Sequence, residues 1–332
     1  MSLILTMLAL SACSDTSTGI EEEEEEEEEI TQPENSNWIT LDTGTSAELN
    51  DIFFIDENIG WAAGNNALIK TEDGGDNWTL YNMPYSIWQL TFVDANTGWA
   101  ATSNGFILHT TDGGETWSEQ GDNFNTCLVS IDFVSNQTGW VVGCNGIILS
   151  TTDGGLTWDE QSFAGEEYYA SHFFDETNGV IIGYNGSLRT TSDGGTTWTE
   201  RSPNASGSFS GISFIDSNTG WAGGHFMGDG SGTVIKTTDG GESWTKVAGI
   251  ENTMINDIYF LDNSRGWVVG QRPTGGSVVY YTTDGGDTWT EQIVDNASTD
   301  TNTGITFMGE DHGWISGYNG KVHFSATGGI IQ

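Results

Sequence analysis

The stretch Thr110-Thr111-Asp112-Gly113-Gly114-Glu115-Thr116-Trp117 recurs, with small changes, along the whole 332-residue chain. Consecutive copies of its aspartate are 39 to 46 residues apart. This spacing is the period of a four-stranded propeller blade. A seventh, degenerate copy at 325–329 has Thr327 in place of the aspartate and no tryptophan after it. The six intact copies are centred on Asp73, Asp112, Asp153, Asp193, Asp239 and Asp284.

A second marker, the dipeptide Gly-Trp, runs in phase with the first. It occurs six times, and Gly179-Val180 fills the one remaining slot. Two independent markers therefore agree on seven units. The six Gly-Trp pairs begin at Gly60, Gly98, Gly139, Gly220, Gly266 and Gly313.

Each unit contains four short strand signals separated by turns. In the second unit, apolar Leu90–Val93 predicts a buried innermost strand, and Trp99-Ala100-Ala101 begins the next strand. Asn104-Gly105 is a hairpin signal before the third strand, 106–110, and Trp117-Ser118-Glu119 forms the outer strand. The sequence therefore predicts an all-β, seven-bladed propeller with four-stranded antiparallel blades.

The ends of the chain predict how the ring closes. The last unit stops at Gly328-Gly329-Ile330-Ile331-Gln332 and has no outer strand of its own. The segment 37–41, with Trp38, precedes the first innermost strand and supplies the missing piece. Closure by this N-terminal strand would remove the exposed sheet edges that invite aggregation.

The repeated aspartates are assigned a structural role. A short carboxylate accepts backbone N–H groups within its own turn, the two glycines allow positive φ, and the tryptophan packs back over the turn. Six equivalent copies favour a determinant of the fold over a catalytic or calcium-binding role.

The front of the chain predicts export. Leu3–Leu10 is an apolar run too short to span a bilayer, and it leads to Leu10-Ser11-Ala12-Cys13. This arrangement resembles a bacterial lipoprotein signal in which Cys13 would be lipidated. We therefore expect a signal peptide at 1–12, an acidic disordered tether at 13–36 and the propeller at 37–332. The expected location is the bacterial cell envelope, at the outer membrane or the cell surface, with lipid as the only membrane attachment.

The charge balance excludes one class of partner. The net charge is −40, and −31 remains outside the nine-glutamate run Glu21–Glu29. With eight Lys and Arg in total there is no basic stripe to neutralise phosphates, so nucleic acid is not an expected partner.

The remaining cysteines, Cys127 and Cys144, flank a hairpin centred on Asn136-Gln137 and should lie nearly opposite each other on adjacent strands. In an exported protein they could form a disulfide or remain two buried thiols. No metal-type Cys/His spacing, phosphate loop or redox motif is present, so the sequence predicts no metal and no cofactor.

Binding is expected on one face of the ring. Loops between blades and loops between the second and third strands emerge together, opposite the Asp-Gly-Gly turns, and two of them are lengthened, at 225–232 and 272–276. Aromatic side chains give large contact area at low entropic cost. The candidate contact residues are Tyr85, Phe124, Tyr168, Tyr169, Tyr184, His225, Phe226 and Tyr318.

The pattern Phe92-x-Asp94-x-x-x-Gly98-Trp99 followed by Thr110-Thr111-Asp112-Gly113-Gly114-x-Thr116-Trp117 resembles the repeat of photosystem II assembly and stability factors and their non-photosynthetic bacterial relatives. The resemblance covers roughly Trp38 to Gly329. It implies a seven-bladed propeller that binds a protein as an assembly scaffold. Photosynthetic members carry an arginine-rich surface for their partner. Here the four arginines are scattered over different blades, which argues against a photosystem role.

Three functions stay open at this point. The favoured one is a non-catalytic protein-binding scaffold using the loop face. A glycoside hydrolase would need a pair of acids there, and the available carboxylates are Glu166, Glu167 and Asp229. A carbohydrate-binding protein would stack the aromatic residues on sugar rings. The aspartate turn also resembles the Asp-box of sialidases, but no inward-facing arginine trio can be formed.

Overall fold

The computed structural model describes residues 38–226, 231–247, 249–294 and 300–329. These residues form seven four-stranded antiparallel sheets, so the predicted seven-bladed propeller is confirmed. In the described ranges no helix is long and apolar enough to cross a bilayer. The predicted signal peptide, the tether and Cys13 lie outside the described residues.

Each of blades one to four is built from four consecutive strands of the chain. Blade one contains β2 (Leu49–Phe54), β3 (Gly60–Gly64), β4 (Ala67–Thr71) and β5 (Thr79–Asn82). Blade two contains β6 (Ile87–Phe92), β7 (Gly98–Thr102), β8 (Ile107–Thr110) and β9 (Ser118–Gln120). Blade three contains β10 (Leu128–Phe133), β11 (Gly139–Gly143), β12 (Ile147–Thr151) and β13 (Asp159–Ser162). Blade four contains β14 (Tyr168–Phe173), β15 (Gly179–Gly183), β16 (Leu188–Thr191) and β17 (Thr199–Glu200).

Blades five to seven complete the ring. Blade five contains β18 (Ser208–Phe214), β19 (Gly220–His225), β20 (Gly232–Thr237) and β21 (Thr245–Lys246). Blade six contains β22 (Met254–Phe260), β23 (Gly266–Gln271), β24 (Ser277–Thr282) and β25 (Thr290–Gln292). Blade seven contains β26 (Asn302–Met308), β27 (His312–Gly317), β28 (Val322–Ser325) and, from the start of the chain, β1 (Ile39–Leu41). Short 3₁₀ turns occupy Cys144–Gly146, Tyr184–Gly186 and Tyr318–Gly320.

The N-terminal strand closes the ring as predicted. Ile39 pairs with Phe324 and Leu41 with Val322 in the β1–β28 ladder. Trp38, 1% exposed, packs edge-on against Phe307 with ring centroids 6.3 Å apart, and its Nε1 donates to Gln292 Oε1 at 2.9 Å. In the other blades the tryptophan after the Asp-Gly-Gly turn makes this edge contact, as Trp117 does with Phe92. Trp38 therefore replaces the tryptophan that the degenerate seventh copy lacks.

The Gly-Trp marker forms the joints between blades. Trp61 of blade one stacks on Phe92 of blade two at 3.7 Å, and its Nε1 donates to Gly113 O in the Asp-Gly-Gly turn of blade two at 2.8 Å. Trp314 of blade seven makes the same pair of contacts with Phe54 and Gly74 of blade one, which completes the circle. The Gly-Trp and Asp-Gly-Gly markers share a period because a joint pairs one Gly-Trp tryptophan with one Asp-Gly-Gly turn of the next blade.

Each aspartate turn is held by its own side chains. Thr110 Oγ1 donates to Asp112 Oδ1 at 2.8 Å and accepts from Gly114 N at 2.9 Å. Thr116 donates to Asp112 through its backbone N–H at 2.9 Å and its hydroxyl at 2.6 Å. These donors, first the Thr116 hydroxyl, lower the pKa of Asp112 to about 2. The carboxylate is thus occupied within its turn, as a structural role requires.

Candidate functional site: the mouth of the central channel

Each innermost strand carries a one-residue β-bulge near its start. In blade one Leu49 pairs with Gly64 and Asp51 with Ala63, so Asn50 has no partner, and the other six innermost strands of the described chain repeat this break. A bulge redirects a side chain away from the regular alternation. All seven bulged residues line one cavity of about 450 Å³ on the loop face, which we call the channel mouth. They are Asn50, Trp88, Val129, Tyr169, Ser210, Asn256 and Thr303.

In four adjacent blades, a hydrogen bond joins the bulged side chain to the backbone of the next blade. The bulged side chain donates to the carbonyl of the residue just before the bulge in the next blade, as Asn50 Nδ2 does to Ile87 O at 2.7 Å and Asn256 Nδ2 to Asn302 O at 2.7 Å. Ser210 Oγ reaches Ile255 O at 2.6 Å, and the Thr303 hydroxyl reaches Leu49 O. Blades five, six, seven and one therefore present a polar rim already engaged with backbone.

Blades two, three and four break this pattern. Their bulged residues, Trp88, Val129 and Tyr169, have no amide or hydroxyl placed for that bridge. We call Trp88 and Tyr169, with Val129 between them, the aromatic arc. Trp88 is 45% exposed. Tyr169 turns its hydroxyl to Glu167 Oε2 at 2.8 Å, and both residues line the cavity. An exposed tryptophan beside a concave surface is typical of a binding site.

Two carboxylates lie where the innermost strands approach the channel. Asp51 Oδ2 accepts from Leu90 N at 2.9 Å, and Asp257 Oδ2 accepts from Ile305 N at 3.0 Å. Burial raises the pKa of Asp51 to about 6 and that of Asp257 to about 7, with the charge of Asp51 adding to the second shift. Both line the cavity, as does Glu167, and the lining residues in the described ranges include no Lys, Arg or His. The cavity is therefore acidic.

The cavity also meets the pair of cysteines. Cys127 and Cys144 line it beside Val129, with their Cα atoms 5.3 Å apart and their sulfur atoms joined as a disulfide. The bond links the start of the inner strand of blade three to the turn between its second and third strands. Within the described ranges no group of three or more His, Cys, Asp or Glu could hold a metal ion.

A family model described as "Photosynthesis system II assembly factor YCF48" matches residues 30–123, 117–173 and 166–252. These segments cover more than half of the chain. The chain belongs to the YCF48 family. A BNR/Asp-box repeat model also matches residues 280–291, within blade six of this YCF48-family propeller.

Solved structures agree with the family assignment. The chain is similar to a protein described as "YCF48 bound to D1 peptide", with 22% identity, a TM-score of 0.70, and coverage of 90% of this chain and 99% of the other. It is also similar to YCF48 from Cyanidioschyzon merolae, with 20% identity, a TM-score of 0.70, and coverage of 88% and 99%. No curated protein matches.

A hydrolase is also among the similar structures. An ancestral GH74 enzyme matches with 13% identity and a TM-score of 0.66, over 86% of this chain and 46% of the enzyme. At this identity the likeness shows a shared propeller fold and nothing about activity.

Two of the sequence-derived candidates lie inside blade four. Tyr168 is fully buried, and its hydroxyl accepts from Arg189 Nε at 2.8 Å and donates to Glu166. Glu166 accepts from Arg189 Nη2 at 2.6 Å, and this contact, chiefly, lowers its pKa. The expectation that Tyr168 contacts a partner is wrong, because its position in every blade points into the core. Glu166 is committed to Arg189 and unsuited to act as a general acid.

The other candidates that the structure describes separate into three groups. Glu167, Tyr169 and Tyr318 line the channel mouth. Tyr85 and Phe124 pack against blade cores, and the Tyr85 hydroxyl donates to Glu119 Oε1 at 2.6 Å. Tyr184 and Phe226 are exposed and His225 is half-buried, and these three do not line the cavity. Asp229 lies outside the described residues.

Trp88 was missed by sequence reasoning because the inner strand of blade two was expected to start at Leu90, whereas it starts at Ile87. Aligning the units on their Gly-Trp pairs would have found it. That alignment places Trp88 in the same column as Asn50 and Tyr169.

Proposed function

We propose that this protein is a non-catalytic binding scaffold that holds a segment of a partner protein at the mouth of its central channel. The observation that carries the proposal is the aromatic arc. On three adjacent blades the bulged positions hold Trp88, Val129 and Tyr169, where the other four blades bridge to the next blade through polar side chains. Exposed aromatic side chains around a concave surface are typical anchors for a partner.

The family supports a polypeptide as the ligand. One relative is described as bound to the D1 peptide, and this chain shares the whole propeller with it. The engagement of Glu166 by Arg189 removes one of the carboxylates that a glycosidase mechanism would use. The lipid anchor at Cys13 and the cell-envelope location stay predictions from the sequence. If both predictions hold, the propeller lies outside the cytoplasm and the acidic tether joins it to the lipid anchor.

Pull-down of cellular proteins by the immobilised full-length chain tests the proposal. We expect the double variant Trp88→Ala/Tyr169→Ala to lose the captured partner by about tenfold or more, since aromatic anchors at an interface centre each contribute about 2 kcal/mol. The matched control is Leu80→Ala/Leu156→Ala, which removes two exposed apolar side chains, 41% and 75% exposed, away from the cavity. Equal capture by the two double variants, measured by quantitative mass spectrometry, would refute the proposal.

A further inference from the structure

The channel mouth combines an apolar wall with acidic groups. Trp88 and Val129 form part of the wall on blades two and three, while Asp51 and Asp257 contribute carboxylates from blades one and six. The same cavity therefore offers a ligand both an apolar surface and negative charge. Lysine and arginine side chains match this combination, because an aliphatic stem packs on apolar surface while a cationic head seeks charge.

Burial disfavours the charged forms of Asp51 and Asp257. Each accepts backbone N–H groups, but burial outweighs these donors and raises the pKa of both carboxyls. The cavity lining, as far as the chain is described, contains no cationic side chain. A cation supplied from outside would thus favour the charged form of both carboxyls.

Blade seven has a glycine at the position where blades one and six carry the two aspartates. This residue is Gly304, and blade one packs so closely on it that an added Cβ would lie 3.3 Å from Ile52 N and 3.4 Å from Asp51 Cα. Asp257 in turn binds the backbone N–H of Ile305, directly after this glycine. The glycine therefore lets blade seven pack closely beside Asp51, while its backbone holds the carboxylate of Asp257.

The aromatic residues add a second attraction for a cation. The face of an indole or phenol ring attracts ammonium and guanidinium groups, and Trp is the strongest of the three aromatic types. Glu167, held by the Tyr169 hydroxyl at 2.8 Å, puts a further carboxylate beside the aromatic arc.

We infer that the channel mouth binds a lysine or arginine side chain carried on an extended segment of the partner protein. This inference rests on the proposed function and names the chemistry of its ligand. A cavity of about 450 Å³ has room for one or two side chains and excludes a folded domain, so the segment must be a protruding loop or a chain end. The overall charge of −31 outside the glutamate run would steer such a basic segment toward the protein.

Fluorescence anisotropy with two labelled nonapeptides tests the inference on the full-length protein. Both peptides consist of glycine and serine around a central pair, which is Arg-Arg in one and Gln-Gln in the other. In about 0.15 M salt, where diffuse attraction is screened beyond ~8 Å, we expect the arginine peptide to bind roughly tenfold more tightly. Equal binding of the two peptides would overturn the inference.

Variants separate a local site from diffuse acidity. Asp51→Asn/Asp257→Asn and, independently, Trp88→Ala should each weaken the arginine peptide by roughly tenfold. Trp88 is exposed, so its variant tests the site even if the double variant is destabilised. The control Glu115→Gln/Asp287→Asn replaces the same number of carboxyl groups at exposed positions in the Asp-Gly-Gly turns and should change binding less than about twofold. A loss as large in this control would contradict a site at the mouth.

The outcomes also distinguish the inference from the proposed function. Two results together would refute the basic ligand and leave the scaffold standing. The Asp51→Asn/Asp257→Asn variant would still capture the partner in the pull-down, and the Trp88→Ala/Tyr169→Ala variant would still fail to do so. If no partner is lost with Trp88→Ala/Tyr169→Ala, the proposed function itself fails.

Discussion

Replacing Trp38 with alanine is expected to lower the free energy of unfolding by about 3–5 kcal/mol, the usual cost of truncating a buried tryptophan. The side chain is 1% exposed and packs on Phe307, and its Nε1–H bonds to Gln292. Its loss would leave a cavity in the last blade and remove the anchor of the closing strand. Urea denaturation followed by circular dichroism gives the change.

The control for this prediction is another tryptophan. Trp88→Ala removes the same side chain from the exposed mouth of the channel, so its effect on unfolding should stay within about 0.5 kcal/mol. If the two variants were equally stable, closure of the ring by the N-terminal segment would not contribute to stability as described.

Replacing Trp221 with alanine should cost a similar amount, about 3–5 kcal/mol. Trp221 is fully buried at the joint between blades five and six, where it stacks on Phe260 at 3.8 Å. Its Nε1 donates to Gly285 O at 2.9 Å, so truncation would also leave that carbonyl without its donor. The same denaturation measurement applies.

Blade four, which has no Gly-Trp tryptophan, supplies the control for this prediction. Val180 takes the place of tryptophan in blade four, and Val180→Ala removes only two methyl groups, which should cost about 1–2 kcal/mol. A Trp221→Ala variant no less stable than Val180→Ala would show that the stacked joints add little beyond ordinary burial.

The architecture could be predicted from sequence because it is repeated. Six aspartates and six Gly-Trp pairs each recur with the blade period, and random sequence would not keep both in phase. Ring closure was also predictable, since a missing outer strand at one end matched an unassigned strand at the other. The role of Trp38 as the seventh turn tryptophan needed coordinates, because it lies far in sequence from the turn that it completes.

The site was harder to predict because it depends on a local break in alternation. Regular alternation along an innermost strand does not distinguish Tyr168 from Tyr169 as the partner-facing residue. The bulge settles it by sending Tyr168 into the core and Tyr169 into the channel mouth. Asp51 and Asp257 were also missed, since acidic residues are common in this chain and sequence alone does not reveal which are half-buried.

Site-specific photocrosslinking tests the central claim, that the channel mouth is the binding face, most directly. Benzoylphenylalanine would replace either Trp88 at the mouth or Leu156, 75% exposed on the Asp-Gly-Gly face, in the full-length protein expressed in its own cells. After irradiation we predict a protein adduct from position 88 and none from position 156. An adduct from position 156 alone, or equal adducts from both, would contradict the claim.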